Sequence, residues 1–121
     1  MAKRLRGLGS SATAAVERLR AAAQSLPFVV ESVTFGNPTF RVGHKAIAVV
    51  DRYDDRECLW LRVSPEERDQ LLKEPGWFRS PYDPKQVALC CDLSHVDWRG
   101  IKRRLRQSYD LAQSKKARIA K

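Results

Sequence analysis

A chain of 121 residues, 43% apolar and 31% charged, has the length of one domain and the apolar content for one core, which excludes a disordered chain and a fold dependent on disulfide or metal staples. The basic N-terminus lacks the apolar run of about 7 to 15 residues of a secretory signal, and no stretch approaches the roughly 18 to 20 apolar residues of a membrane span. A membrane protein is therefore excluded and a cytoplasmic location expected, while the net charge of +9 directs attention to anionic partners.

Ser10 and Ser11 can cap a first helix over residues 11–25, whose Ala12, Val16, Leu19, Ala23 and Leu26 fall at helical spacing before Leu26-Pro27 stops it. Strands are predicted over Phe28–Thr34, Thr39–Val42, Lys45–Asp51 and Glu57–Val63, with Asp54-Asp55 turning between the last two. The run Phe35-Gly36-Asn37-Pro38-Thr39-Phe40-Arg41-Val42-Gly43-His44-Lys45 is the most informative part of the chain. Its Gly and Pro residues punctuate a turn, an edge-type strand and a tight hairpin.

Ser64-Pro65-Glu66-Glu67 is a helix start, with Ser64 as cap and Glu67 able to return the capping-box bond, and a short helix follows as far as Pro75-Gly76. Trp77–Lys85 reads as a loop and Gln86–Asp92 as a fifth strand; Ser94 with Asp97 repeats the capping-box pattern before a last helix. On that helix Trp98, Ile101, Leu105, Tyr109 and Ala112 form an apolar stripe, opposite Arg99, Lys102, Arg103, Arg106 and Asp110.

Two terminal helices with one apolar stripe each, flanking an antiparallel set of strands, predict an α+β two-layer sandwich: a sheet of about five strands with both helices on one face. Residues 11–113 form the domain, with a basic arm over 1–10 and a basic tail over 114–121. Alternation turns Leu59, Leu61, Val63, Phe40 and Val42 toward the helices, and Cys58, Trp60, Arg62 and Arg41 toward the other, partly open face. Trp60 is there either a stacking platform or the base of a minor core under Trp77-Phe78.

The excess positive charge lies at the ends. Residues 1–25 hold five Lys or Arg against one acid, 26–96 hold nine against eleven, and 97–121 hold nine against two. Cys58, Cys90 and Cys91 are odd in number and lack C-x-x-C spacing, so they read as reduced, buried thiols. No Gly-rich phosphate loop, G-x-S-x-G elbow, H-E-x-x-H or paired-carboxylate arrangement is present, and His44 and His95 read as surface or capping residues. Neither catalysis nor a cofactor is expected.

The order of these features resembles the MmcQ/YjbR family of small bacterial proteins over residues 12–113. The likeness rests on Leu26-Pro27, the Phe35 to Val42 run closing on Lys45, Ser64-Pro65-Glu66-Glu67-Arg68, Pro81-Tyr82 and the terminal Ser108-Tyr109-Asp110-Leu111-Ala112. It implies a frataxin-like (CyaY-like) sandwich and DNA binding through a double-wing arrangement. Arg41 and Lys45 match the family's basic positions and Tyr109 its Ser-Tyr signature, whereas Lys85-Gln86-Val87 stands where members often carry Trp. A frataxin-like fold also raises metal handling. The acidic cluster Asp51, Asp54, Asp55 and Glu57 is, however, interrupted by Arg52 and Arg56, and the first helix has no acidic ridge, so no metal is expected.

The functional expectation is a non-catalytic module, monomeric or weakly dimeric, that binds nucleic acid, DNA ahead of RNA. Arg41, Lys45, Arg52, Arg62, Arg99, Lys102, Arg103 and Arg106 would meet the backbone and Trp60 would stack a base. Binding would be largely sequence-independent, since Asn37 and Gln107 alone suit bidentate base reading. The alternative is a protein-interaction module using the open sheet face and the aromatic loop 77–82.

Overall fold

The structure, a computed structural model, describes residues 10–53, 55–81, 83 and 85–120, and side-chain surroundings within 11–113. Helix α1 (Ser10–Ala23) precedes strands β1 (Val29–Thr34), β2 (Asn37–Val42), β3 (Lys45–Tyr53) and β4 (Arg56–Arg62). Helix α2 (Pro65–Leu71), strands β5 (Trp77–Phe78) and β6 (Ala88–Asp92) and helix α3 (Ile101–Ala120) follow. All strand pairs are antiparallel, in one six-stranded sheet of order β1-β2-β3-β4-β6-β5. The α+β sandwich is as expected, with one strand more. Trp77–Phe78 is a short edge strand on β6, in the middle of what reads as a Pro-rich loop.

Helices α1 and α3 cover one sheet face. Ala12, Leu19, Ala22 and Leu26 of the first segment and Ile101, Leu105, Tyr109 and Ala112 of the last close over Phe40, Val50, Leu59 and Leu61. A smaller cluster of Val63, Leu71 and Leu89 seats α2 beside them. Ser64 caps α2 as the sequence implies, accepting the Glu67 N–H at 3.3 Å. The Glu67 carboxylate does not return the bond but pairs with Arg104 of α3 at 3.3 Å, tying the two helices. Ser94 and Asp97 do not form a capping box. Two single 3-10 turns, Leu93–His95 and Trp98–Gly100, occupy the segment, capped by Asp92 and Asp97.

The edge strand is β1, not β2. Phe35 and Gly36, at φ 49° and 82°, make the two-residue turn between them, the mirror-image type whose flanking pair, Thr34 and Asn37, exchanges hydrogen bonds. Alternation then makes Val33 and Pro38 a non-bonded pair, so the missing Pro38 N–H breaks no rung between β1 and β2; it faces β3, with which the paired register of β2 begins at the next residue, Thr39.

A bulge in β3 interrupts the alternation. Phe40 pairs with Ala48 and Arg41 with Ala46, leaving Ile47 over. Ile47 and Ala48 both enter the helix-side core, so Ala46 reaches the opposite face. The rung that Ile47 would share with Arg62 is filled by α3. The buried Ser108 hydroxyl accepts the Arg62 N–H at 3.0 Å and donates to the Ile47 carbonyl at 2.6 Å. Its neighbour Tyr109 donates to the Pro27 carbonyl at 3.0 Å, fixing the α1–β1 corner.

Candidate functional site

On the helix layer, Arg99, Lys102, Arg103 and Arg106 are all exposed and, spaced at three and four residues, share one side of the α3 segment. Arg18 of α1 joins them. Its guanidinium lies 5.5 Å from the Trp98 ring centroid, and Arg18, Trp98, Arg99 and Lys102 line a shallow groove of about 310 Å³ between the helices. Trp98 also packs on the core, as its place on the apolar stripe implies. Arg106 bonds Asp110 at 3.4 Å, both well exposed, an ion pair of small value that a phosphate can replace. Arg104 is different. Half-buried, paired with Glu67 and 5.7 Å from the Trp77 centroid, it braces the core.

The other expected contacts lie elsewhere. Lys45 stands at the β2–β3 hairpin tip, in a groove with His44, Ala112 and Gln113, beyond the far end of the α3 cation row. Arg52 is exposed near the opposite end of β3. Arg41, Trp60 and Arg62 point to the open sheet face, with the sheet between them and the α3 cations. Thus four of the nine expected residues are brought together, and Arg18 is an unforeseen fifth cation. An amphipathic reading places Arg18 on the polar side of its helix but cannot say which helix stands next to it.

Arg62 is a clamp on the sheet. Its Nε donates to the Ala46 carbonyl at 2.8 Å, a group freed by the bulge, and its guanidinium lies 5.7 Å from the Trp60 centroid. Burial lowers its pKa from the ordinary value. Arg62→Met should therefore destabilise the fold while leaving the salt dependence of any polyanion binding unchanged, a pair of results that denaturation and a salt titration check. Asn37, expected as a base reader, is likewise occupied, its Nδ2 donating to Asp51 Oδ1 at 3.0 Å.

The segment after β5 folds onto the open face. Ser80 and Asp83 are buried there, the Asp83 carboxylate accepting the Ala88 N–H at 2.9 Å. Phe78 meets Tyr53 edge-on at 6.3 Å and 84°, with the Arg56 guanidinium 3.8 Å from its centroid. Trp77 packs toward the helices. Trp60 is consequently neither bare nor covered. Half-buried, it lines a cavity of about 570 Å³ with Thr34, Phe35, Val49, Asp51 and Tyr53 among others. Asp51 Oδ1 accepts from Asn37 and from the Arg52 N–H (2.7 Å), Oδ2 accepts from the Tyr53 hydroxyl (2.7 Å), and Tyr53 meets Ser80 at 3.0 Å. This polar cluster, drawn from β2, β3 and the loop after β5, has no local sequence signal. Tyr82 and Asp54, named in the expected loop and turn, lie outside the described residues.

The three cysteines are free and buried. A hydrogen bond with Cys90 and burial raise the Cys58 pKa well above the ordinary thiol value, and burial pushes Cys91 up to about 12. These two are protonated at neutral pH, not activated nucleophiles. Among the described residues no group of three or more His, Cys, Asp or Glu could hold a metal ion, and no helix is long and apolar enough to cross a membrane.

Fold and surfaces together define a small antiparallel α+β module with a cationic helix layer and a cavity-bearing sheet face. The YjbR family model matches residues 24–111, and the chain belongs to the YjbR family. Comparison with curated proteins finds no match, and comparison with solved structures finds none.

Proposed function

We propose that this protein is a non-catalytic nucleic-acid-binding module, DNA ahead of RNA, acting in the cytoplasm as a monomer or weak dimer. The observation that carries the reading is the α1–α3 ridge, where Arg18, Arg99 and Lys102 line one shallow groove and the exposed Arg103 and Arg106 continue the same side of the α3 segment. Cations in a row on a helix layer contact phosphates without reading bases, so sequence preference should be weak. Arg41, Lys45, Arg52 and Arg62 fall outside this surface, and the proposed interface is accordingly smaller than the sequence suggests. Three buried free thiols suit a reducing compartment.

The test is fluorescence anisotropy of labelled duplex DNA, single-stranded DNA and RNA across a salt series. Each duplex phosphate neutralised contributes about −0.9 to the log–log slope. Replacing Arg99, Lys102, Arg103 and Arg106 together by Ala should flatten the slope by about 3 to 4. Absence of binding at low salt, or an unchanged slope in the variant, refutes the reading.

One observation favours protein interaction instead. Among the described residues, the large exposed apolar ones are gathered along β1: Phe28 (86% exposed), Val30 (54%), Val33 (66%) and Phe35 (98%). With one neighbour in the sheet among the described residues, β1 presents an unpaired edge there, the feature that strand addition uses. The aromatic segment is less available, since Trp77 and Phe78 are half-buried. Binding of a protein partner that is insensitive to salt and lost in Val33→Lys would select this second reading.

A further inference from the structure

We propose that the cavity on the open sheet face is a binding site for a neutral, flat nitrogen heterocycle carrying an N–H donor, the chemistry of a nucleobase or nucleoside. The site stands apart from the cationic ridge, on the other face of the sheet, and holds whether or not that ridge meets phosphates.

Four features of the cavity select this class. At about 570 Å³ it falls within the range of small-ligand sites, mostly apolar walls with a few convergent polar groups. Its aromatic walls are Trp60, Tyr53 and Phe35, with Val49 and Ala46 as aliphatic surface, which suits a planar ring. A sugar, polar around its whole rim, would leave hydroxyls against apolar walls. The polar groups are concentrated around Asp51, whose carboxylate is held in place by Asn37, Tyr53 and the Arg52 amide. Oδ2 takes one of those bonds and Oδ1 two, so Oδ2 has acceptor capacity for a ligand N–H. Charge favours a neutral ligand, because the Asp51 carboxylate and the Arg52 guanidinium of the lining oppose one another.

Phe35 supplies independent support. It occupies the first turn position with φ 49°, left-handed backbone where Asn, Asp or Gly is favoured and a bulky residue is a strained outlier. It is also 98% exposed, so its ring gains almost no burial that would offset the strain. Phe28 shares conformation and exposure; what sets Phe35 apart is the cavity it lines together with Trp60 and the carboxylate. Strain of this kind, uncompensated within the fold, is characteristic of a residue retained for binding.

The test is amide and indole NMR of the whole protein, titrated separately with adenosine, guanosine, cytidine and uridine and with a short single-stranded oligonucleotide. Saturable shifts of the Trp60 indole N–H and of the Asp51, Tyr53 and Gly36 amides with a nucleoside support the proposal for a free ligand. The same shifts with the oligonucleotide alone support it for a base within a strand. No shift there with any of these at millimolar concentration overturns it. Phe35→Gly removes the ring and suits the turn, so it should melt at a higher temperature yet bind at least about fivefold more weakly, the lower end of the loss of one base–aromatic stack. A more stable variant with unchanged affinity overturns the role of Phe35, and unchanged affinity in Trp60→Leu as well overturns the site. Nucleoside binding should persist in the Arg99/Lys102/Arg103/Arg106→Ala variant, which separates this site from the ridge.

Discussion

Ser108→Ala is expected to destabilise the protein by about 2 to 4 kcal/mol, although it removes a single oxygen. That hydroxyl is inserted in the β3–β4 ladder, between the Ile47 carbonyl at 2.6 Å and the Arg62 N–H at 3.0 Å. Ser108 is fully buried, and alanine leaves no room for water to replace the oxygen. Two backbone groups then lose their partner, each at about 1 to 3 kcal/mol. The loss should be visible as a lower denaturation midpoint with unchanged slope, and as faster exchange of the Arg62 amide. A loss below about 0.5 kcal/mol, the range of ordinary surface changes, would show that the ladder closes without the hydroxyl.

The same substitution bears on the open face. The bulge turns Ala46 away from the core, and the Ala46 carbonyl holds Arg62 against Trp60. Ser108, on the helix layer, thus supports the wall of a cavity on the opposite side of the sheet. The Ser108-Tyr109 pair on which the family likeness partly rests is, in this protein, a structural fastening: one hydroxyl fixes the bulge and the other the Pro27 corner.

What the sequence makes legible here is what has a period or a local partner. The α1 and α3 stripes follow the 3.6-residue repeat, the Ser64 cap lies three residues from the amide it accepts, and the alternation of Leu59, Trp60 and Leu61 is kept in β4. Features created by distant pairing are not legible. Strand β5 is two residues long and exists because Trp77 and Phe78 lie opposite Cys91 and Cys90. The bulge at Ile47 is bonded by Ser108, some sixty positions away, and the Ala46 carbonyl beside it is the group that holds Arg62 as a clamp on the sheet. Arg99, Lys102, Arg103 and Arg106 are recognisable as one face because one continuous stretch carries them, the 3-10 turn with Arg99 leading directly into α3. Arg18 and the Asp51–Tyr53–Ser80 cluster required the fold.

Gly76→Ala should cost about 2 to 4 kcal/mol, for two separable reasons. Gly76 has φ 89°, and left-handed backbone costs an L-residue about 1 to 2 kcal/mol. A methyl there would also overlap the His95 Cβ and stand 2.6 Å from its Cγ and 2.9 Å from Nδ1, crowding of a kind that costs about 1 to 3 kcal/mol. Neither strand can yield easily, because the Gly76 carbonyl accepts the Asp92 N–H at 2.8 Å immediately before the turn that carries His95. Double-mutant cycles divide the cost. In a His95→Ala background the Cβ remains, so most of the overlap penalty persists; in a His95→Gly background it is relieved and the backbone part of about 1 to 2 kcal/mol remains. Equal penalties in all three backgrounds would assign the whole effect to backbone conformation. A residual overlap that pushes the Leu93–His95 turn outward must also move Trp98 and Arg99, which follow it directly at the start of the cation row. Gly76→Ala should accordingly weaken polyanion binding at temperatures where it is still folded, whereas in the His95→Gly background, with the overlap gone, that loss should recover even though part of the stability does not.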